Sequence, residues 1–492
     1  MTSRARWQPV KSRSVSRRLA SNLWLLALGC VFLLAGVAVY RVPPLAVLLL
    51  AVGCVVAIVA LCPRLLPLLT LPGLIIVSII PAPSVLGPVL LIAAPAAAVL
   101  GVLSRRRSFR IGSLWPLLAL GGLAVVSSLI AGPAPDSCPL EICPRGTPSS
   151  SSELITLVLL ILNAAAIGII GVRSVSLLAV LRWSTSCVAV LMLVDRFVKI
   201  ERVDGRLGAL GLNPNYVGAL LALGLVAVVA EITRHFRLVE LTQALPLGLA
   251  VVATGSRGAY VGIVVGISVV IVYGLRGRAR LLMLTVGVAA AVAVIARSNQ
   301  QALSFGRNPN ELDVNNAVRL QAARLAAYFG LENPILGVGF GHFPSRALAD
   351  GRLGIYMNTH NEYLRYGAEL GLGGAALFAS AIVKGLRRAA VKNSQVFAVL
   401  STYGAVLMFG NFSTNPLVSF LPFALLAALE GQERCTPQRS QCAAADDPSL
   451  SPAAERARFA PTRAVASEYR LVSDNPTRQR CAGSSRTDTS LA

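Results

Sequence analysis

Residues 22–40 read NLWLLALGCVFLLAGVAVY, an unbroken apolar run preceded by Arg4, Arg6, Lys11, Arg13, Arg17 and Arg18. A helix that crosses a bilayer needs about 20 predominantly apolar residues, and this run supplies them. A basic head before an apolar run also marks a secretory signal peptide. Here the run is too long for a cleavable core and offers no small-residue cleavage site. It predicts a first transmembrane helix with the N-terminus in the cytoplasm, and with it an all-α membrane fold.

Runs of the same kind follow near 44–62, 66–81, 85–103, 113–132, 154–172, 175–194, 213–232, 241–255, 258–275, 281–296, 363–383, 395–411 and 415–430. With the first at 22–41, fourteen spans return the C-terminus to the cytoplasm. The runs at 66–81 and 241–255 are short or contain proline, so the expected number is twelve to fourteen. The basic clusters Arg105–Arg107 with Arg110, Arg234 with Arg237, Arg276 with Arg278 and Arg280, and Lys384 with Arg387 and Arg388 all follow even-numbered runs. An excess of Lys and Arg in cytoplasmic loops orients membrane proteins, and these clusters agree on one register.

The composition excludes the alternatives. Of the 492 residues 55% are hydrophobic and 14% charged, with a mean hydropathy of +0.68. Too few polar side chains exist to cover a soluble globule, and the apolar content is too high for a disordered chain. The net charge of +23 invites a nucleic-acid reading. A nucleic-acid-binding domain concentrates its basic residues on a soluble face, whereas here they lie in short segments between apolar runs. No nucleic-acid partner is expected, and membrane lipids take that place.

The register divides the chain into a basic cytoplasmic N-terminus (1–21), an N-terminal group of transmembrane helices (22–194), a second membrane region (195–430) and a cytoplasmic tail (431–492). The tail is rich in Ser, Thr, Pro, Arg and Ala without apolar period, and reads as disordered. No internal repeat is visible, which weakens an inverted-repeat transporter. Three larger segments are left outside, near 133–153, 195–212 and 297–362. Cys138 and Cys143 lie in the first, with prolines around them, where an oxidising exterior would let them pair. The His and Cys residues show no metal-ligand spacing, so no metal is expected.

Polar residues are scarce in the first six runs and collect at the outer ends of the later ones. They are Asp204, with Arg206, Asn213, Asn215 and Tyr216 in the GRLGALGLNPNY that follows it; Thr254, Ser256 and Arg257 in TGSRG; Arg319 and Arg324 in NNAVRLQAARLAAYFG; and Asn358–Glu362 with Arg365 and Glu369. External Arg runs against the positive-inside preference, and an anionic substrate supplies a reason, because guanidinium pairs bidentately with phosphate oxygens. Asn316–Leu331 has helical period and stops at Glu332-Asn333-Pro334. The stretch ILGVGFGHF that follows is not a GxGxxG on a βαβ unit, which excludes a nucleotide fold.

Thr359-His360-Asn361-Glu362-Tyr363, followed by Gly371 and Gly374, resembles the signature of the O-antigen ligase family of bacterial membrane glycosyltransferases. That signature is His-Asn, nine residues, Gly, two residues, Gly. ENPILGVGFGHF resembles the family's Pro-x-x-Gly-x-Gly stretch, with Arg319 ahead of it; TGSRGAYVG resembles its Thr-x-Ser-Arg-Gly turn; and GRLGALGLNPNYVGALL resembles its Arg-to-Asn-Pro-Asn segment. The resemblance covers roughly Arg206–Leu429. It implies a helical GT-C fold in the bacterial inner membrane, both termini cytoplasmic. The implied activity is metal-independent, inverting transfer of a glycan from undecaprenyl diphosphate to an acceptor hydroxyl on the outer side, such as the lipid A core, without cofactor or nucleotide. Polymerases of the same family use another lipid-linked repeat as acceptor, and oligosaccharyltransferases a protein hydroxyl. A lipid-linked-sugar flippase or transporter is the reading from a different class.

The resemblance assigns roles by position. Arg257, Arg319 and Arg206 would stabilise the departing diphosphate. His360, which ordinarily titrates near neutrality, would act as general base or positioner, oriented by Glu362 or Asn361, with Asn215 in the binding region. The plain alternatives are an anchoring role at the membrane boundary for Arg257, a simple ion pair for Arg365 and Glu369, and interfacial aromatic positions for Tyr216 and Tyr363.

Overall fold

The computed structural model describes residues 65–79, 90–92, 95–96, 114–132, 150–198, 202–203, 206–207, 213–274, 309–351 and 356–431. The expected spans near 22–41, 44–62 and 281–296, most of the span near 85–103, both Cys138 and Cys143, and the tail beyond Gly431 lie outside them.

The described residues form twelve helices and one short strand pair. The helices are α1 (Leu66–Ile79), α2 (Trp115–Ala131), α3 (Ser150–Ile170), α4 (Ser174–Val198), α5 (Pro214–Ile232), α6 (Leu238–Thr254), α7 (Arg257–Gly274), α8 (Pro309–Glu332), α9 (Phe343–Ala349), α10 (Glu362–Lys392), α11 (Ser394–Val406) and α12 (Pro416–Gly431). Between α4 and α5, β1 (Arg202–Val203) pairs antiparallel with β2 (Arg206–Leu207). Helices α3, α4, α5 and α10 are long and apolar enough to cross a membrane, and α1, α2, α6, α7 and α12 are shorter apolar helices. The chain is an all-α polytopic membrane protein.

The helix boundaries follow from local chemistry. Asn213 caps α5: its side chain accepts the Asn215 amide at 2.9 Å, and Pro214 fills the first position, where no N–H is needed. Gly255 closes α6 in the left-handed conformation, φ 57°, so α7 starts two residues later and packs on α5 and α11. Along α7, Gly258, Gly262 and Gly266 recur every fourth residue. They lie against Phe409, Val406 and Thr402, on and just beyond α11. In a bilayer apolar side chains gain nothing by leaving lipid, so small residues that admit close backbone approach hold helices together.

Two boundaries differ from expectation. The run at 395–411 is helical only to Val406, and residues 407–415 form a loop. The sequence GNFSTNP explains this, since Gly, Ser, Thr and Asn bond their own backbone in turns and Pro416 begins the next helix. The run at 363–383 belongs to a longer element, α10, that takes in Lys384, Arg387, Arg388 and Lys392. Helix α10 is broken at Gly371, φ 72° and ψ −176°. At the break, the Ala368 and Glu369 carbonyls accept the Val338 and Gly339 amides at 2.9 and 3.1 Å, and Leu372 N–H donates to Pro334 O at 2.8 Å. The stretch 334–341 thus substitutes for a missing helical turn.

The two ends of α10 differ in character. At the C-terminal end Arg234 reaches Gln395 and Ser394 at 3.3 Å, Lys392 donates to the Leu429 carbonyl at 2.9 Å, and Arg388 pairs with Glu430. Basic residues that the sequence assigned to one side of the membrane therefore meet in space. Helix α2 runs antiparallel to α10: Lys384 lies 4.5 Å from the Trp115 ring centroid at one end, while Ser127 donates to Leu336 O at 2.8 Å near the break.

Candidate functional site

The turn Asn358–Asn361 precedes α10 at the end opposite this basic cluster. His360 has φ 53° and is the non-glycine residue with positive φ among the described residues. Such a conformation costs about 1–3 kcal/mol and persists only where the surroundings over-determine it. Both neighbours are tied down. The Thr359 hydroxyl lies 2.9 Å from the Asn361 carbonyl and 3.3 Å from Asn411 Oδ1. Asn361 caps α10, its Oδ1 accepting the Leu364 amide at 3.1 Å, and Glu362 N–H donates to Leu407 O at 2.9 Å.

One of the predicted cations acts at this turn, and a second is tethered one turn away along the helix that carries it. Arg319, on α8, is close enough to act electrostatically on His360. Burial first, and Arg319 second, hold the imidazole well below its ordinary range, at about 4. The expectation that His360 titrates near neutrality is therefore corrected: at pH 7 the ring is neutral and carries a free lone pair. Arg257, at the start of α7, donates to Asn316 Oδ1 at 3.3 Å, one turn of α8 before Arg319. Asn316 lay within a quoted stretch, but an Asn on a helix gives no signal of its own. The Thr-Gly-Ser turn ahead of Arg257 also packs on α5: a Cβ at Gly218 would lie 2.6 Å from Ser256 Cβ and 2.9 Å from Thr254 Oγ1. Two segments far apart in sequence thus meet at one end of the bundle.

The expected orienters of His360 are otherwise engaged. Asn361 caps a helix, and Glu362 accepts the Ser413 amide at 2.7 Å, since a fully buried carboxylate takes the nearest donor. Nor do Arg365 and Glu369 form a simple pair. Arg365 Nε donates to Glu369 Oε2 at 3.0 Å, but the same guanidinium also binds Glu153 of α3, donates to Thr414 Oγ1 at 3.2 Å, and lies 3.9 Å from Glu362. Arg365 is 1% exposed and its ring contact is Phe340, 5.1 Å from the centroid. Tyr216 and Tyr363 are half-buried and bonded within the protein: Tyr216 packs edge-on against Phe412 at 5.6 Å, and Tyr363 donates to Gly404 O at 3.1 Å.

The remaining predicted residues are placed as follows. Arg206 lies in β2, next to Val203 across the strand pair, and Asn215 in the first turn of α5. Glu153, Asn411, Ser413 and Thr414 were missed by sequence reasoning. Glu153 is a lone acid after four serines, Asn411 ended a segment read as a span, and Ser413 and Thr414 fell in the short gap before the next one. A separate cleft of about 320 Å³ opens between α2, the end of α8 and α9, lined by Ser127, Ile130, Phe329, Glu332, Asn333 and Arg346 among others. It does not include His360, Arg257 or Arg319.

Fold and site together define a helical membrane protein that gathers arginines and an imidazole at one end of its bundle. Residues 243–379 match the family model described as O-antigen ligase, bearing out the resemblance carried by the sequence motifs. The matched segment runs from α6 into α10 and holds Arg257, Asn316, Arg319 and His360; Glu153 and the 411–414 loop lie outside it. The match supports activity of the ligase or polymerase type in general. No curated protein matches the chain.

Proposed function

We propose that the protein transfers a glycan from undecaprenyl diphosphate to an acceptor hydroxyl at the outer face of the bacterial inner membrane. The observation that carries this reading is that α8 links Arg257, bonded to its Asn316, with Arg319, which acts on His360, all within the segment that matches the family. The acceptor oxygen attacks the anomeric carbon, and the bond from that carbon to the diphosphate oxygen breaks with its electron pair. Arg257 and Arg319 stabilise the charge left on the diphosphate, since cations placed in advance where charge develops act most strongly in a site shielded from water. Neutral His360 accepts the acceptor's proton. The Arg319 charge disfavours the imidazolium so formed, which speeds its loss of that proton to the departing diphosphate or to water. Orientation follows the charge register, with both termini cytoplasmic.

The test is transfer by the purified full chain in lipid vesicles, given an undecaprenyl-diphosphate glycan and an acceptor. His360→Ala and Arg257→Ala, folded and inserted normally, should each lower the rate by about 10²–10⁴. Full activity in both would sink the mechanism. A flippase would translocate the lipid-linked sugar and form no transfer product. Ligase and polymerase separate in a deletion strain: loss of a ligase accumulates long lipid-linked chains, and loss of a polymerase accumulates single repeats.

A further inference from the structure

We propose that Arg365 is a positioning residue for His360, acting through the 411–414 loop rather than by touching substrate. The inference rests on the transfer reading for its kinetic arm alone. Arg365 is buried among three carboxylates contributed by two helices, Glu153 from α3 and Glu362 and Glu369 from α10. A surface ion pair needs none of this, and a pair serving α10 alone would not recruit Glu153 from 212 positions away in sequence.

The connection to His360 can be followed bond by bond. Arg365 donates to Thr414 Oγ1 at 3.2 Å, Glu362 accepts Ser413 N–H at 2.7 Å, and the Tyr366 hydroxyl donates to Ser413 Oγ at 2.8 Å. The loop so held presents Asn411 to Thr359 at 3.3 Å and Leu407 O to the Glu362 amide at 2.9 Å. These contacts grip the residues on either side of His360. Its left-handed backbone is therefore set by its neighbours, and Arg365 with its acids fixes the loop that holds them. A strained residue held from both sides keeps its imidazole at one place beside Arg319.

The test uses the full-length protein in detergent and the reaction of neutral imidazole with diethyl pyrocarbonate between pH 4 and 7.5. His360 is resolved from His235 and His342, the other histidines of the sequence, by peptide mass. Arg365→Lys keeps the charge but loses the planar fork that serves several partners. It should move the His360 midpoint upward by about 1 unit or more, toward the ordinary 6.5, as the turn relaxes into water. In the same variant kcat should fall about tenfold or more while the donor KM stays within about twofold, because Arg365 contacts no substrate. Tyr366→Phe removes a single hydroxyl and should shift the midpoint the same way by less. A folded Arg365→Lys with wild-type His360 titration overturns the proposal. If Arg365→Lys does not fold, an unchanged midpoint in Tyr366→Phe overturns it instead. If the chain transfers no glycan at all, the titration still decides, so the two readings fail separately.

Discussion

At the scale of single residues, His360 makes the stability of the protein depend on pH. Its imidazole titrates at about 4 in the folded chain and near 6.5 when unfolded. The unfolded chain therefore binds the proton first as pH falls, and stability is lost between pH 6.5 and 4. Thermal unfolding in detergent should show that loss in the wild type and a smaller one in His360→Gln. For the same reason the acid limb of kcat/KM should lie near pH 4 instead of near neutrality; a limb at 6.5 would contradict the site as described. Arg319→Ala should raise the midpoint only in part, since burial is the larger cause. The sequence made His360, Arg257 and Arg319 legible because each stands in a motif. It hid Glu153, Ser413 and Thr414, because a lone acid and a hydroxyl pair become informative only when folding buries them beside Arg365.

Among the elements, α7 and α10 were legible as apolar periods, but what shapes them was not. The glycines of α7 face Phe409, Val406 and Thr402, and period alone does not reveal a partner. Gly262→Leu would force a side chain into Val406 and Thr402, and overpacking of this kind costs about 1–3 kcal/mol. A lowered unfolding temperature with Arg257 displaced from Asn316 is the expected result, read as lower transfer activity at a temperature where the variant remains folded. The break in α10 makes a sharper case. Gly371 combines φ 72° with a backbone approach from Pro334 that leaves no room for a methyl group, so Gly371→Ala meets both strain and collision. Loss of folded protein from the membrane is expected, and normal accumulation of Gly371→Ala would show that the break is dispensable. Hydropathy could not expose this break, because a glycine inside an apolar run scores as ordinary membrane helix.

Across the whole molecule, the basic residues that follow the runs at 213–232 and 363–383 meet at one end of α10 while His360 precedes its other end, and this sets a test of the expected orientation. Single cysteines at Asn333 and at Asn393, in a background lacking the natural cysteines, should label from outside and from inside respectively in intact cells. The reverse pattern would place His360 in the cytoplasm and remove the proposed donor from its reach. The stretch 334–341 bears on how any donor arrives. Its amides complete the hydrogen bonds that α10 gives up at Gly371. Swinging that stretch aside would strand polar groups on both partners, so it is a fixed wall and not a door. The proposed lipid-linked donor would then approach His360 past another edge of the bundle, and a disulfide clamping 334–341 to α10 should leave turnover untouched.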